Sequence, residues 1–244
     1  MGVSGRIGPS GPLAAVVSAA ALLGTAGTAA QLGPDDIGPL TAGSWRTATG
    51  ALGLLAVAWA VGQPPWRYRW RTRWSLVGAL ALGVNQLAFF AAIEAAGVAT
   101  GTLVTIATLP IASGAIDWGW GRRPDRGWLL GVAISLTGVA LLTGGSAEPS
   151  LLGVAWGVLA GAAGSAMALA IQRLGEDRPA LPATTTVVAG GAIVLAPVAL
   201  AGAPVVLSSL DALATVTYLG LATMALAYVL LAVGLRRLPL STVT

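Results

Sequence analysis

A handful of residues in an otherwise apolar chain could act on a bound molecule: Arg46, Asn85, Gln86, Glu94, Pro110, Trp156 and Tyr228. The chemistry they offer is recognition and proton exchange, not bond making. The chain has no Cys and no His, and every one of its 13 basic residues is Arg. A thiol nucleophile, a disulfide and a thiolate metal site are therefore excluded, and the commonest general base is missing. No GxxxxGK loop is present to cradle a nucleotide. The expectation is a protein that is not an enzyme and uses no cofactor or metal.

Each of these residues carries two readings. Arg46 attracts an anion from inside a cavity, or it snorkels to headgroups or pairs with Asp35 or Asp36. Asn85 and Gln86 hold a polar group of a substrate, or they join two helices, an effect of ~0.6 kcal/mol on average. Adjacent helical residues point about 100° apart, so at most one of the two faces a central cavity squarely. Glu94 is a candidate titrating carboxylate for proton coupling, or an ordinary solvated group at an interface. Asp117 has the same alternatives, with Arg122 or Arg123 as partners. Pro110 and Pro197 remove backbone donors inside helices and so free carbonyls or permit bending. Trp156 offers a stacking wall to a ligand or an apolar face to lipid.

The elements that must position these groups are transmembrane helices. Hydrophobic residues make up 56% of the 244, charged residues only 9%, and mean hydropathy is +0.82. A soluble domain carries roughly 25% charged residues, so this chain could not cover itself in water. A bilayer core takes about 20 apolar residues rising ~1.5 Å each. Runs of that kind fall at 12–32, 41–63, 74–96, 98–118, 127–146, 150–172, 182–203 and 213–234. The first run has some features of a cleaved signal peptide, but its length argues that it is retained.

Charge then orders the runs. With the N-terminus cytoplasmic, Arg6, the four arginines of WRYRWRTRW (66–74), Arg122, Arg123, Arg126, Arg173, Arg178, Arg236 and Arg237 all fall on the inner side. The outer links carry Asp35, Asp36, Glu148 and Asp211, with Glu94 at the outer end of the third run. Positive residues stay on the cytoplasmic side of short loops, which predicts a multi-pass protein of the inner (plasma) membrane. The Arg and Trp mixture of WRYRWRTRW is thus a topology signal and an interfacial belt, and nucleic acid is not an expected partner. Gly153, Gly157 and Gly161 form a GxxxGxxxG stripe for close helix approach, within the chain or across a homodimer.

The chain also resembles itself. A shift of 140 sets Gly24–Gln31 against Gly164–Ile171 and matches Gly50 with Gly190; a shift of 142 sets Ala96–Thr102 against Leu238–Thr244 and Gln86 against Tyr228. Five runs per unit make the second unit inverted, a recurring transporter design with the site between the halves. The stretches SWRTATGALGLL, FFAAIEAAGVATGTLVTIATLPI, GWLLGVAISLTGVALLTG and LAYVLLAVGLRRLPLST resemble the EamA-type carriers of the drug/metabolite transporter superfamily. In that family an arginine recurs in the second helix, here Arg46, and a proline in the fourth, here Pro110.

The resemblance implies an all-α polytopic membrane protein built on an inverted repeat of five-helix units, the first at 1–148 and the second, incomplete, at 149–244 with three helices and the start of a fourth. It implies a secondary transporter that exports a small amphipathic metabolite, an amino acid or drug-like compound, by alternating access. Its partners would be the lipid bilayer and that small molecule. A non-transporting scaffold or assembly subunit is the alternative. Two departures stand out. Arg122 occupies the place of a glutamate often found at the inner end of the family's fourth helix. The chain also stops at Thr244, where a ninth of ten helices should begin, so a fragment with eight complete helices is expected.

Overall fold

A computed structural model describes residues 10–69, 71–119, 121, 126–143 and 150–235. Arg6, Trp70, Arg122, Arg123, Glu148, Arg236, Arg237 and the run 238–244 lie outside the described residues. The described chain is helical with no strand: α1 (Ser10–Leu32), α2 (Pro39–Ala60), α3 (Thr72–Gly119), α4 (Arg126–Thr143), α5 (Leu151–Leu174), α6 (Ala180–Ala201), α7 (Ala203–Ser208) and α8 (Leu210–Gly220). A π-helical stretch, Leu221–Leu226, joins α8 to α9 (Ala227–Leu235). Among the described residues, five helical segments are long and apolar enough to cross a bilayer: Ala14–Leu32, Thr72–Gly119, Leu151–Leu174, Ala180–Ala201 and Leu210–Ala232. The protein is an all-α polytopic membrane protein.

The longest of these, α3, is a hairpin. Gly97 breaks it at φ 79°, ψ 161°, a region open to glycine and closed to residues with a Cβ. Nine residues of straight helix span about 13.5 Å, yet a Cβ built on Gly101 would lie 2.8 Å from the Ala92 carbonyl carbon. The second arm therefore folds back along the first. Gly62, at φ 72°, similarly turns the chain out of α2 ahead of Pro64 and Pro65.

Small residues set the close contacts. Along α5, Gly153 meets Ala96, Gly157 meets Val104, Gly161 meets Thr105 and Thr108, and Gly164 meets Leu109. Numbers rise together on both sides, so α5 runs parallel to the second arm of α3. The GxxxGxxxG stripe is thus filled from within the chain and lends no support to a homodimer. Two further crossings resemble each other. Where α2 meets the end of α8 and the π-stretch, Gly50 abuts Met224 and Gly220 abuts Thr49. Where the first arm of α3 meets α6, Gly78 abuts Val187 and Gly190 abuts Ala79. Leu54, Leu82, Leu174, Val187, Val188 and Met224 fill the buried core between these crossings.

The α5 contact is tight enough to be tested by one methyl group. A Cβ on Gly161 would sit 2.7 Å from the backbone oxygen of Thr105, whereas one on Gly138 of α4 meets nothing within 4 Å. Gly161→Ala is expected to lower stability by about 1–3 kcal/mol, the usual cost of overpacking, and Gly138→Ala to leave it unchanged. Thermal unfolding of both variants in detergent checks this; equal midpoints would contradict the packing described.

Candidate functional site

Arg46 lies at the centre of the bundle. It is only 5% exposed, so it neither snorkels outward nor pairs with Asp35 or Asp36. Gly43, one turn earlier, lets α2 touch the first arm of α3: a Cβ there would be 3.2 Å from the Gln86 backbone oxygen. The Arg46 side chain consequently faces Gln86. Its Nη1 donates to Gln86 Oε1 at 3.1 Å and its Nη2 to the Thr223 carbonyl at 3.2 Å, while its Nε–H has no hydrogen-bond partner among the described residues. Thr223 belongs to the π-stretch, where the i→i+5 pattern displaces carbonyls from ordinary helical pairing and commonly marks functional sites. Gln86 is also buried.

Two cavities approach this layer from opposite ends. The larger, about 580 Å³, is lined by Asp117 from α3, Ser165, Met167 and Ile171 from α5, and Tyr228 and Leu231 from α9. Gly175 and Ala180 also line it, so its mouth lies at the arginine-rich end. The smaller, about 440 Å³, is lined by Gln31, Asp35, Ala42, Phe90 and Glu94 at the other end. Ala42 is one helical turn from Arg46, and Phe90 one turn from Gln86. Tyr228 lines the larger cavity and stands five residues beyond Thr223, the Arg46 acceptor, on the same helical run. Arg46 and Gln86 themselves line neither cavity and lie buried one helical turn beyond Ala42 and Phe90 of the smaller one.

The structure joins Arg46 to Gln86, puts Tyr228 on the wall of the larger cavity, and separates the rest from that pair. Asn85 Nδ2 donates to the Ala160 carbonyl at 2.8 Å, so it ties α3 to α5. Pro110 sits one turn before Ser113 of the larger cavity, and its neighbour Leu109 accepts from Ser165 Oγ at 2.8 Å. Glu94 is exposed and belongs to the smaller cavity. Trp156 is 37% exposed and lines neither cavity, because α5 turns its glycines inward and this ring away. Sequence reading missed Thr223, whose backbone oxygen does the work and leaves no side-chain signature. It also missed Trp45, whose Nε1 donates to the Ala199 carbonyl at 2.9 Å and fastens α2 to α6.

A helical bundle with a cavity at each end and a buried cation between them has the build of a membrane transporter. The EamA-like transporter family matches residues 10–144, more than half of the chain, and the protein belongs to that family. It is 28% identical over 237 residues to the "Uncharacterized transporter YwfM" of Bacillus subtilis (strain 168), a match covering 93% of this chain and 77% of that protein. No solved structure matches it. The protein is accordingly a multi-pass membrane transporter.

At the mouth of the larger cavity the arginines do more than mark topology. Arg71 Nη1 binds Glu176 Oε2 at 3.1 Å and the Arg173 carbonyl at 2.7 Å. Arg173 reaches Glu176 Oε1 at 2.9 Å, and buried Arg178 donates to the Arg69 carbonyl. These contacts clamp the α2–α3 link to the α5–α6 link. Hydrogen bonds from Arg71, then Arg173, hold the Glu176 carboxyl below its ordinary range. A depressed carboxyl stabilises the native contact above its unfolded pKa, and that contribution is lost as pH falls through the folded value. At neutral pH, Glu176→Gln is expected to speed amide exchange across residues 173–178. In acid, below the depressed pKa, variant and parent should exchange alike. Equal exchange at neutral pH would remove the clamp.

Proposed function

We propose that this protein is a secondary transporter that moves a small amphipathic metabolite, an amino acid or drug-like compound, by alternating access. The observation that carries this reading is the pair of cavities at opposite ends, divided by a single buried polar layer. Such a layer can be approached from either side while the other remains sealed, which is the essence of alternating access. A scaffold has no use for two cavities of this size at opposite ends of the bundle, so they favour transport.

The inverted repeat is supported by the two glycine crossings. In the 140–142 register Gly50 corresponds to Gly190 and Gly78 to Gly220. The contact of α2 with the α8 end and π-stretch thus has its counterpart in the contact of α6 with the first arm of α3. The arginine clustering supports an N-terminus inside the cell and residence in the inner (plasma) membrane. On this orientation the larger cavity opens to the cytoplasm, which fits export. Arg46, Gln86 and Tyr228 are the groups assigned to substrate, and Glu94, at the opposite cavity, is the carboxylate assigned to coupling.

The test is flux through purified protein in liposomes. Counterflow of labelled amphipathic metabolites is expected with the parent chain. Ala168→Trp, which puts an indole into the larger cavity, is expected to abolish it while leaving the thermal midpoint near that of the parent. Absence of flux for every compound tried, or flux indifferent to Ala168→Trp, would sink the proposal.

A further inference from the structure

The position of Arg46 points to the chemical class of the substrate, an inference that rests on the transport reading above. A guanidinium carries five N–H donors and keeps its charge in proteins. The acceptors it finds are both neutral, the Gln86 side-chain oxygen and the Thr223 carbonyl. Among the described residues its Nε–H has no hydrogen-bond partner, and the residue takes part in no ion pair. Arg46 lines neither cavity, and a cation buried in this way lacks its counter-charge among the described residues. Buried charges elsewhere are paired, and intramembrane arginines face a partner or a pathway.

We infer that the missing counter-charge is the carboxylate of the substrate. Gln86 holds the guanidinium as a neutral stand-in: its amide oxygen occupies one direction in which a carboxylate oxygen would bind. A planar guanidinium takes a carboxylate by two parallel N–H bonds, and the unpartnered Nε–H beside an Nη–H is one edge of that fork. Tyr228, which lines the cavity and stands five residues beyond Thr223 on the same helical run, is the group past which the anion arrives. Only Ala227 separates it from the π-stretch.

The remainder of the cavity defines the rest of the molecule. Ile116, Met167, Ile171 and Leu231 make its walls apolar, so the body of the ligand is hydrophobic. Asp117 lies at the mouth and disfavours a second carboxylate at the far end. The substrate class is a small monocarboxylate with an apolar body.

Three compounds of one shape and different charge serve as probes: phenylacetate, phenylacetamide and phenethylamine. Thermal unfolding of the full chain in detergent reads binding without requiring transport. Phenylacetate is expected to raise the midpoint saturably, and the amide and amine are not. Arg46→Gln is expected to lose the response. Gln86→Glu guards against a variant that fails to fold, since it supplies the counter-charge internally. It should raise the ligand-free midpoint and weaken phenylacetate binding by about ten-fold or more, the scale of one competing charge-assisted contact. The proposal is overturned if phenylacetate gives no shift, if the amide or amine shifts the midpoint as far, or if Gln86→Glu binds phenylacetate as the parent does. Counterflow separates the two levels. A carboxylate-specific shift without any flux keeps the site and removes the transport reading; flux without carboxylate preference removes the site alone.

Discussion

A charged guanidinium inside a bundle that crosses a bilayer must be given acceptors by the protein itself, and much of the packing follows from that need at Arg46. Its two acceptors come from two different helical segments, the first arm of α3 and the π-stretch. For one side chain to reach both, α2 must lie against both at once. Gly43 allows the first approach, and Gly50 with Gly220 allows the second. Hydrogen bonds to a charged group are each worth roughly 1.5–3 kcal/mol, while the effective cost of burying an ion is of the order of several kcal/mol. The two nearly cancel. Arg46 is thus poorly explained as a stabilising element and better explained as a charge held in place.

The π-stretch is the complementary half of that arrangement. In an unbroken α-helix every interior carbonyl is committed to the amide four residues on. The wider turn at Leu221–Leu226 disturbs this pairing where Thr223 faces Arg46. Thr223 Oγ1 bonds back to the Leu219 carbonyl at 2.6 Å, and Thr49 Oγ1 reaches the Val216 carbonyl at 3.1 Å. Hydroxyls of this kind satisfy backbone oxygens that water cannot reach. They let an irregular turn persist at membrane depth.

Much of the fold was legible in the sequence because bilayer thickness imposes its own length scale. The break between the expected runs 74–96 and 98–118 falls at Gly97, where only glycine suits the backbone. The second run, expected at 41–63, ends earlier at Ala60 because Gly62 turns the chain before two prolines. The site was half legible. Arg46 and Gln86 stood out as polar groups in apolar runs, but their mutual contact depends on a crossing at Gly43 that spacing along one helix cannot reveal. The π-stretch has no compositional mark at all, since LATMAL reads as ordinary helix. The glycine stripe of α5 was visible as a packing face, but its occupant was not, because any close-fitting helix satisfies the same pattern. WRYRWRTRW was read for its charge, whereas Arg71 also serves as a specific partner of Glu176.

Packing also limits how such a bundle could move. Helices whose backbones touch through glycines have little room to slide, since interdigitated faces shift between discrete arrangements and do not deform smoothly. On the transport reading, α5 and the second arm of α3 therefore travel as one piece, and so do α2 and the end of α8. Relative motion must be taken up elsewhere. The larger cavity is walled by α3 and α5, the first of these pieces, on one side and by Tyr228 and Leu231 of α9 on the other. The clamp of Arg71, Arg173 and Glu176 spans its mouth between the α2–α3 and α5–α6 links. A closure that narrowed the cavity would pivot about this clamp and bear on the layer of Arg46 and Gln86. The same layer would then have to exchange its protein acceptors for others, which is the one rearrangement that a buried, incompletely partnered guanidinium is already prepared to make.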